Sequence, residues 1–283
     1  MSLLGIDISK WQGEMDWATA WAAGANYAFI RAGSIGATTG IAYTDYQFDR
    51  NSEIAPDYMP VGFYWYFRPQ HCALDQAEYF CNLIKDKRMK LPPVLDLESS
   101  WGMTAERITE AAKIFITEVY VRLDVWPLLY SRGDWLNNHT VSDDVWDFVD
   151  LWVARYADLS GPWSDGYYKP DNFDDWRFWQ FSAGGNSRGK EFGAESASID
   201  LDYFNGDQEA FDEYISKLPE RVRVNYKRNA ILRETPEREA MYETIAMVGE
   251  ELTVIDKAVD ADDREWYQTA GGLWIAVNQV EEV

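Results

Sequence analysis

The sequence predicts an α/β protein: an irregular TIM-like (β/α) barrel of eight mostly parallel strands, followed by a small all-β barrel. Three observations predict it. Short apolar runs recur at a regular beat, helical patterns lie between several of them, and the pattern changes character after residue 217. The 283 residues allow one large domain with a small second one, divided here as 1–217 and 218–283.

The strands are read in order. Leu3–Ile8, Tyr27–Arg31, Val61–Phe67, Pro93–Leu97, Pro127–Tyr130, Asp150–Ala154, Arg177–Phe181 and Ser198–Leu201 are short runs apolar enough to be buried. Trp17–Ala23, Asp75–Lys85 and Ala105–Leu123 place apolar residues at i, i+3, i+4 and i+7, the period of a helix with one buried face. Thr104 is the expected N-cap of the third. The connection Gly184–Ser198 is irregular, so fewer than eight helices are expected. Lys217-Leu218-Pro219 closes a last helix, Gln208–Ser216. Beyond it Val222–Tyr226, Glu243–Met247, Glu251–Val254, Trp266–Thr269 and Leu273–Val277 read as short strands. Turn signals separate them at Val248-Gly249, Asp260–Asp263 and Gly271-Gly272.

Composition excludes several classes of function. A net charge of −22 argues against strong binding to nucleic acid or to an anionic membrane. No stretch is long and apolar enough to span a bilayer, and the first residues lack the basic and apolar regions of a signal peptide. Cys72 and Cys81 flank a helical stretch whose nine residues rise about 13 Å, so free thiols are expected. Two histidines, His71 and His139, are too few for a zinc site or a histidine-based triad. No cofactor is expected. Aromatic residues make up 16% of the chain; beyond their share of the core they hint at carbohydrate, whose flat C–H faces stack on rings.

The acids carry the main signal. In a parallel barrel the working residues sit at the carboxyl ends of strands. Asp7 falls near the end of the first strand. Asp96 and Glu98 fall at the end of the fourth, two apart and so pointing the same way, and Asp200 falls at the end of the eighth. Val94-Leu95-Asp96-Leu97-Glu98 embeds two acids in an otherwise buried strand, where a solvated charge is out of place. Crowded, partly desolvated carboxyls keep some protons near neutral pH, as glycoside hydrolysis requires. A divalent-cation site is the competing reading of the same acids.

In combination, Gly5-Ile6-Asp7-Ile8-Ser9 with Trp11-Gln12-Gly13, Phe29-Ile30-Arg31-Ala32-Gly33, Asp45 with Phe48 and Asn51, Val61-Gly62-Phe63-Tyr64, Asp96-Leu97-Glu98, Leu151–Tyr156, Trp179-Gln180-Phe181-Ser182 and Ile199-Asp200-Leu201-Asp202 resemble family 25 of the glycoside hydrolases. These are the Chalaropsis-type lysozymes, common among phage endolysins and bacterial autolysins. The resemblance covers roughly Leu3 to Phe204. It implies a muramidase cleaving the β-1,4 bond between N-acetylmuramic acid and N-acetylglucosamine in peptidoglycan, with Glu98 as general acid. It implies that Asp96 orients and polarises the 2-acetamido group that attacks the anomeric carbon, and that Asp7 and Asp200 tune Glu98 and hold the sugar. Tyr64, Tyr130, Trp152, Tyr156 and Trp179 match groove positions. Strand alternation puts Tyr64 and Tyr66 on one face of Val61–Phe67. Arg31, a basic residue in an inner strand, is expected to pair with the acids. Asp202 departs from the family's usual Asn; facing the same way as Asp200, it is expected to raise neighbouring pKa values or to reach solvent. A hydrolase of a related amino sugar polymer such as chitin, and a non-catalytic wall-binding protein, are the alternatives.

Tyr226 to Val283 resembles, more loosely, the bacterial SH3-like modules of wall hydrolases, through Asn229–Arg233, Thr244-Ile245-Ala246, Thr253-Val254-Ile255, Glu265-Trp266-Tyr267 and Gly271–Ile275. That implies a wall peptide or wall polymer as its partner. Acids outnumber bases there, so no basic patch is expected. The combined expectation is an endolysin-type enzyme made in a host cytoplasm and acting at the wall.

Overall fold

In the first unit, Met1–Ile215, strand runs apolar on both faces assemble as the inner wall of a barrel. The computed structural model describes residues 2–156, 161–163, 169–217, 220–225, 229–238 and 240–283. The expected helix stop at Leu218-Pro219 and the expected strand end at Tyr226 lie outside them.

All eight expected strands are present: β1 (Leu4–Ile8), β2 (Tyr27–Ile35), β4 (Val61–Tyr66), β5 (Val94–Asp96), β6 (Leu128–Arg132), β7 (Leu151–Ala154), β8 (Phe178–Ser182) and β9 (Asp200–Phe204). A short β3 (Ala42–Thr44) pairs antiparallel with β2 outside the ring. The ring runs β1-β2-β4-β5-β6-β7-β8-β9 and closes where β9 pairs β1. From β1 through β8 every pairing along it is parallel, but β9 is antiparallel to both neighbours. This corrects the expectation that Asp200 ends its strand: it begins it. The reason is the connection from Ser182 to Asp200, where the regular structure among the described residues is a 3₁₀ turn, Gly185–Ser187. A parallel neighbour needs a crossover, usually a helix; without one the chain returns antiparallel.

Helices α1 (Trp17–Ala22), α3 (Ala73–Ile84), α4 (Ala105–Leu123) and α6 (Gln208–Ser216) lie where the periodicity puts them. Two more, α2 (Phe48–Ile54) and α5 (Gly133–His139), are too short to announce themselves by period. Thr104 occupies the N-cap of α4, but its side chain makes no capping bond. Cys72 and Cys81 are free thiols.

Two apolar layers result. Ile6, Ile30, Phe63, Trp65, Leu95, Leu129 and Val153 face outward to the helices, with Phe80, Phe115 and Ile116 packing on them. Tyr27, Phe29, Tyr64, Val94, Leu128, Trp152, Phe178 and Phe204 fill the barrel, and Phe211 of α6 stacks on Tyr27 from below at 5.4 Å between centroids. Phe29 and Trp152 stack at 4.4 Å inside. The interior is therefore a packed floor, and the polar residues above it form the mouth.

The second unit, Ser216–Val283, is a seven-stranded antiparallel sheet. Its strands are β10 (Glu220–Val224), β11 (Ala230–Arg233), β12 (Tyr242–Ala246), β13 (Glu251–Val259), β14 (Glu265–Thr269), β15 (Trp274–Ala276) and β16 (Val280–Glu282), in the order β12-β11-β15-β14-β13-β10-β16. Val222, Val224, Leu232, Val254, Tyr267 and Ile275 form its core. Gly249, Asp263 and Gly272 take positive φ at the three expected turns, where the left-handed conformation lets the chain reverse.

Candidate active site

Strand direction decides what reaches the mouth. Asp7 is one residue from the end of β1, Asp96 ends β5, and Glu98 lies two residues beyond it. Because β9 is reversed, its first residue sits level with the ends of the other strands, and Asp200 pairs directly with Asp7. The four acids thus meet at one opening. Asp7, Asp96, Glu98 and Asp200 line a pocket of about 230 Å³ together with Arg31, Tyr64, Tyr66, Tyr130 and Trp152, all expected there. Ser9, Trp11 and Gln180 complete it, and no role was assigned to them from sequence. The signal for Gln180 was present: it is a polar residue on the inward face of β8, two from Phe178.

Bulges re-aim two of these side chains. The register of β2 against β4 slips between Arg31 and Gly33, and that of β8 against β9 between Gln180 and Ser182. A bulge bends its strand locally, and such bends are common beside active sites. Arg31 turns to Asp45, which follows β3, donating from Nη2 at 2.6 Å and from Nε at 2.8 Å. This corrects the expectation that Arg31 neutralises the four acids by pairing. Among the described residues no ion pair is made by Asp7, Asp96, Glu98 or Asp200.

Gln180 is the hub of the remaining polar contacts. Its Oε1 accepts from the hydroxyls of Tyr130 (2.9 Å) and Tyr156 (2.8 Å), and its Nε2 donates to Asp7 Oδ2 at 2.6 Å. Tyr156 therefore reaches the site through its hydroxyl while its ring stays largely exposed. Asp200 Oδ1 accepts from the backbone N–H of Gly184 at 2.7 Å. Tyr66 is hydrogen-bonded to Glu98, and burial followed by the Glu98 charge pushes its phenol up to about 12. Asp96 keeps one buried carboxyl oxygen, Oδ1, with no hydrogen-bond partner.

Three expected contacts do not line the pocket: Tyr156, whose hydroxyl meets Gln180, and also Trp179 and Asp202. Trp179 lies on the outer face of β8, packed against Trp176, Phe181 and Tyr203, with its Nε1 donating to the Arg155 carbonyl at 2.8 Å. Alternation sends Phe178 and Gln180 inward and Trp179 outward. Asp202 is fully buried beneath the mouth, its Oδ1 accepting from Trp152 Nε1 at 2.8 Å. It reaches neither solvent nor the pocket, because β9 runs downward from Asp200.

The electrostatics follow from burial and from the crowding of acids. Burial raises the pKa of Asp7 well above the carboxylate range, and the charges of Asp200 and Asp202 add to it. Burial and then the Glu98 charge raise Asp96. Glu98 is raised by burial, opposed by the Tyr66 hydrogen bond and the Arg132 charge. Burial raises Asp200 and Asp202 as well. Some of these acids hold protons where free carboxylates have lost them.

A raised carboxyl pKa has a definite consequence for stability. The native protein binds protons that the unfolded chain releases, so stability is full below the unfolded value near 3.9 and is lost as pH rises toward the native value. Each retained proton contributes a fall of about 1.4 kcal/mol per pH unit in that window. Asp202→Asn removes one such proton. Denaturant unfolding between pH 4 and 7 is expected to show a shallower fall for the variant than for the parent; parallel slopes would contradict this.

The sequence profile described as glycosyl hydrolases family 25 matches residues 6–190. Lysozyme M1 of Streptomyces globisporus is 30% identical over 218 residues, covering 71% of this chain and 67% of its own. The crystal structure of a bacterial lysozyme from Streptomyces coelicolor, 26% identical, superposes with a TM-score of 0.63 over 76% of this chain and 97% of that one. The spore cortex lytic enzyme SleM of Clostridium perfringens, at 16% identity, shares the fold over 100% of this chain and 97% of its own, with a TM-score of 0.63.

Proposed function

The chain belongs to glycosyl hydrolase family 25, and from that premise we propose that it is a muramidase cleaving the β-1,4 bond between N-acetylmuramic acid and N-acetylglucosamine in peptidoglycan. The observation that carries the reading is Asp96 Oδ1, a buried acceptor with no donor among the described residues, two residues before Glu98 in a pocket of acids with raised pKa. An acceptor left empty in the protein is filled by a donor on the substrate.

Glu98 delivers its proton to the bridging oxygen as the glycosidic C–O bond breaks. The substrate's own 2-acetamido oxygen attacks the anomeric carbon, while Asp96 accepts a hydrogen bond from the acetamido N–H and stabilises the charge that develops there. Water then opens the resulting ring, giving its proton to the Glu98 carboxylate, with net retention. Asp7 and Asp200 sustain the raised pKa of the site and hold the sugar. Trp11, exposed at the rim with Lys10 over its ring at 4.9 Å, offers a stacking face for a further sugar.

The function is tested by incubating the chain with purified peptidoglycan and, separately, with chitin oligomers. Soluble muropeptides from the first and no cleavage of the second are expected; the reverse would replace the substrate. A wall whose muramic residues lack the N-acetyl group should resist cleavage, and efficient cleavage of it would exclude acetamido participation.

The seven-stranded C-terminal sheet is proposed to be an SH3-like module that binds wall peptide or wall polymer, and the whole chain an endolysin made in a host cytoplasm that acts at the wall. Deleting the chain after Lys217 is expected to weaken binding to whole walls by roughly tenfold or more, because a second site on one polymer adds avidity. Cleavage of soluble fragments should change little. Unchanged wall binding by the truncated chain would remove the targeting role.

A further inference from the structure

Beside the acidic pocket stands a cation that the chain itself leaves unpaired. Tyr66 of β4 is in register with Asp96 of β5, and the Phe67 N–H donates to the Asp96 carbonyl at 2.9 Å. The chain at Arg68 therefore leaves β4 alongside the segment that carries Glu98. One buried side chain of α3 fixes its backbone on both sides. The Arg68 N–H donates to Gln76 Oε1 at 3.1 Å, and Gln76 Nε2 donates to the Arg68 carbonyl at 2.9 Å. Trp65 Nε1, which can only donate, meets the same Oε1 at 3.1 Å and so sets the amide's orientation.

The guanidinium is treated differently. Among the described residues it makes no hydrogen bond or ion pair, and its Nε is buried without a partner. Two rings hold it instead. Its Cζ lies 4.9 Å from the centroid of Tyr66, which lines the pocket, and 5.6 Å from that of Trp101. Both distances are within reach of a cation–π contact, and a planar guanidinium lying over rings keeps N–H groups at its edge free to donate.

Trp101 takes its place at a cost. Its turn, closed by the Met103 N–H on the Ser100 carbonyl at 2.9 Å, has both central residues at positive φ, Trp101 at 47° and Gly102 at 73°. Glycine accepts that conformation freely, whereas a Cβ crowds the backbone. Such strain persists where the surroundings hold it, and it gathers at binding sites. The tryptophan is 49% exposed, so much of its surface is open to a ligand.

What this arrangement lacks is an anion. The charge of Arg68 is felt by Asp96 and Glu98, yet neither carboxyl pairs with it among the described residues. A buried donor without a partner is satisfied from outside, and a carboxylate is the group that matches a guanidinium edge. On a muramic residue, the carbon next to the one bearing the acetamido group carries a lactyl ether. That ether ends in a carboxylate or continues into a peptide with carboxylates of its own; chitin has a hydroxyl there. With the acetamido group at Asp96, the lactyl substituent emerges beside it.

We propose that Arg68, walled by Tyr66 and Trp101, is a carboxylate subsite for the lactyl-borne substituent of the muramic residue, and so a determinant that separates peptidoglycan from uncharged amino sugar polymers. The inference rests on the muramidase reading for the identity of the sugar, while the anion preference of Arg68 is measured apart from cleavage.

Calorimetric titration of the full chain tests it with three ligands: the disaccharide N-acetylglucosaminyl-N-acetylmuramic acid, the same disaccharide amidated at the lactyl carboxyl, and the disaccharide carrying its peptide. The parent should bind an anionic ligand about tenfold more tightly than the neutral amide, the discrimination of one charge-assisted contact. Preference for the free acid assigns the lactyl carboxylate as the group held; preference for the peptide-bearing form alone assigns the peptide's carboxylates. Arg68→Gln should lose the preference. Arg68→Lys, which keeps the charge without the fork, should retain part of it, with circular dichroism checking the fold of both variants. A parent that binds all three alike, or a preference undiminished in Arg68→Gln, would overturn the proposal. An undiminished preference with a displaced pH–rate profile would make Arg68 a group that tunes Glu98 and would likewise remove the subsite. If the preference holds but no peptidoglycan is cleaved, the muramidase reading falls and the subsite stands.

Discussion

Glu98→Gln is expected to lower turnover on peptidoglycan by about 10²–10⁴-fold, the range a positioned general acid contributes, while the fold is unchanged. The amide fills the same volume and still hydrogen-bonds Tyr66, but it has no proton to give. Because burial raises the Glu98 pKa, the parent's rate should fall on the alkaline side as that proton is lost, and the variant should lack that limb. Circular dichroism and a thermal scan check the fold, and single-turnover rates check the chemistry. Near-normal turnover would mean that another group is the acid.

The second large effect is at Asp96. Asp96→Asn is expected to cost about 10²–10³-fold in kcat with a smaller change in KM, since the charge it supplies matters most when the acetamido group becomes cationic. The buried, unpartnered Oδ1 is the reason to expect a transition-state effect rather than a structural one. Removing the charge should also relieve Asp96's repulsion with Glu98, so the variant should be no less stable than the parent at neutral pH. A large increase in KM with unchanged kcat would instead make Asp96 a binding residue.

These effects depend on a barrel whose strands were legible for a physical reason. Strands with apolar residues on both faces produce unbroken runs, and Val94–Leu97 is conspicuous because an acid interrupts one. The same contrast singled out Asp96 and Glu98. The reversed direction of β9 was not legible, because a run such as Ser198–Leu201 reads alike in either direction and only the connection before it decides. Asp200 came to the right place by that reversal, while Asp202 went beneath the pocket instead of beside it. Trp179 shows a second limit: a residue quoted from a matching segment carries no statement of which face it takes, and strand alternation put Gln180 rather than Trp179 inside. Arg31 was legible as a buried cation needing a partner, but its partner Asp45 comes from the hairpin strand β3 and the turn after it, which no period announced.

That none of the four acids at the mouth makes an ion pair among the described residues unites these particulars. Arg31 is committed to Asp45, and the acids have one another, Gln180, a backbone N–H and a tyrosine as their partners. Such a site is poorly arranged for stability and well arranged to hold protons at the pH where a glycosidic oxygen must receive one.

The most direct test of the central claim is to digest purified peptidoglycan with the parent and with Glu98→Gln, reduce the products, and identify their ends by mass spectrometry. Fragments ending in reduced N-acetylmuramic acid from the parent, and none from the variant, are the predicted result. Fragments ending in reduced N-acetylglucosamine, or equal release by the two proteins, would contradict it.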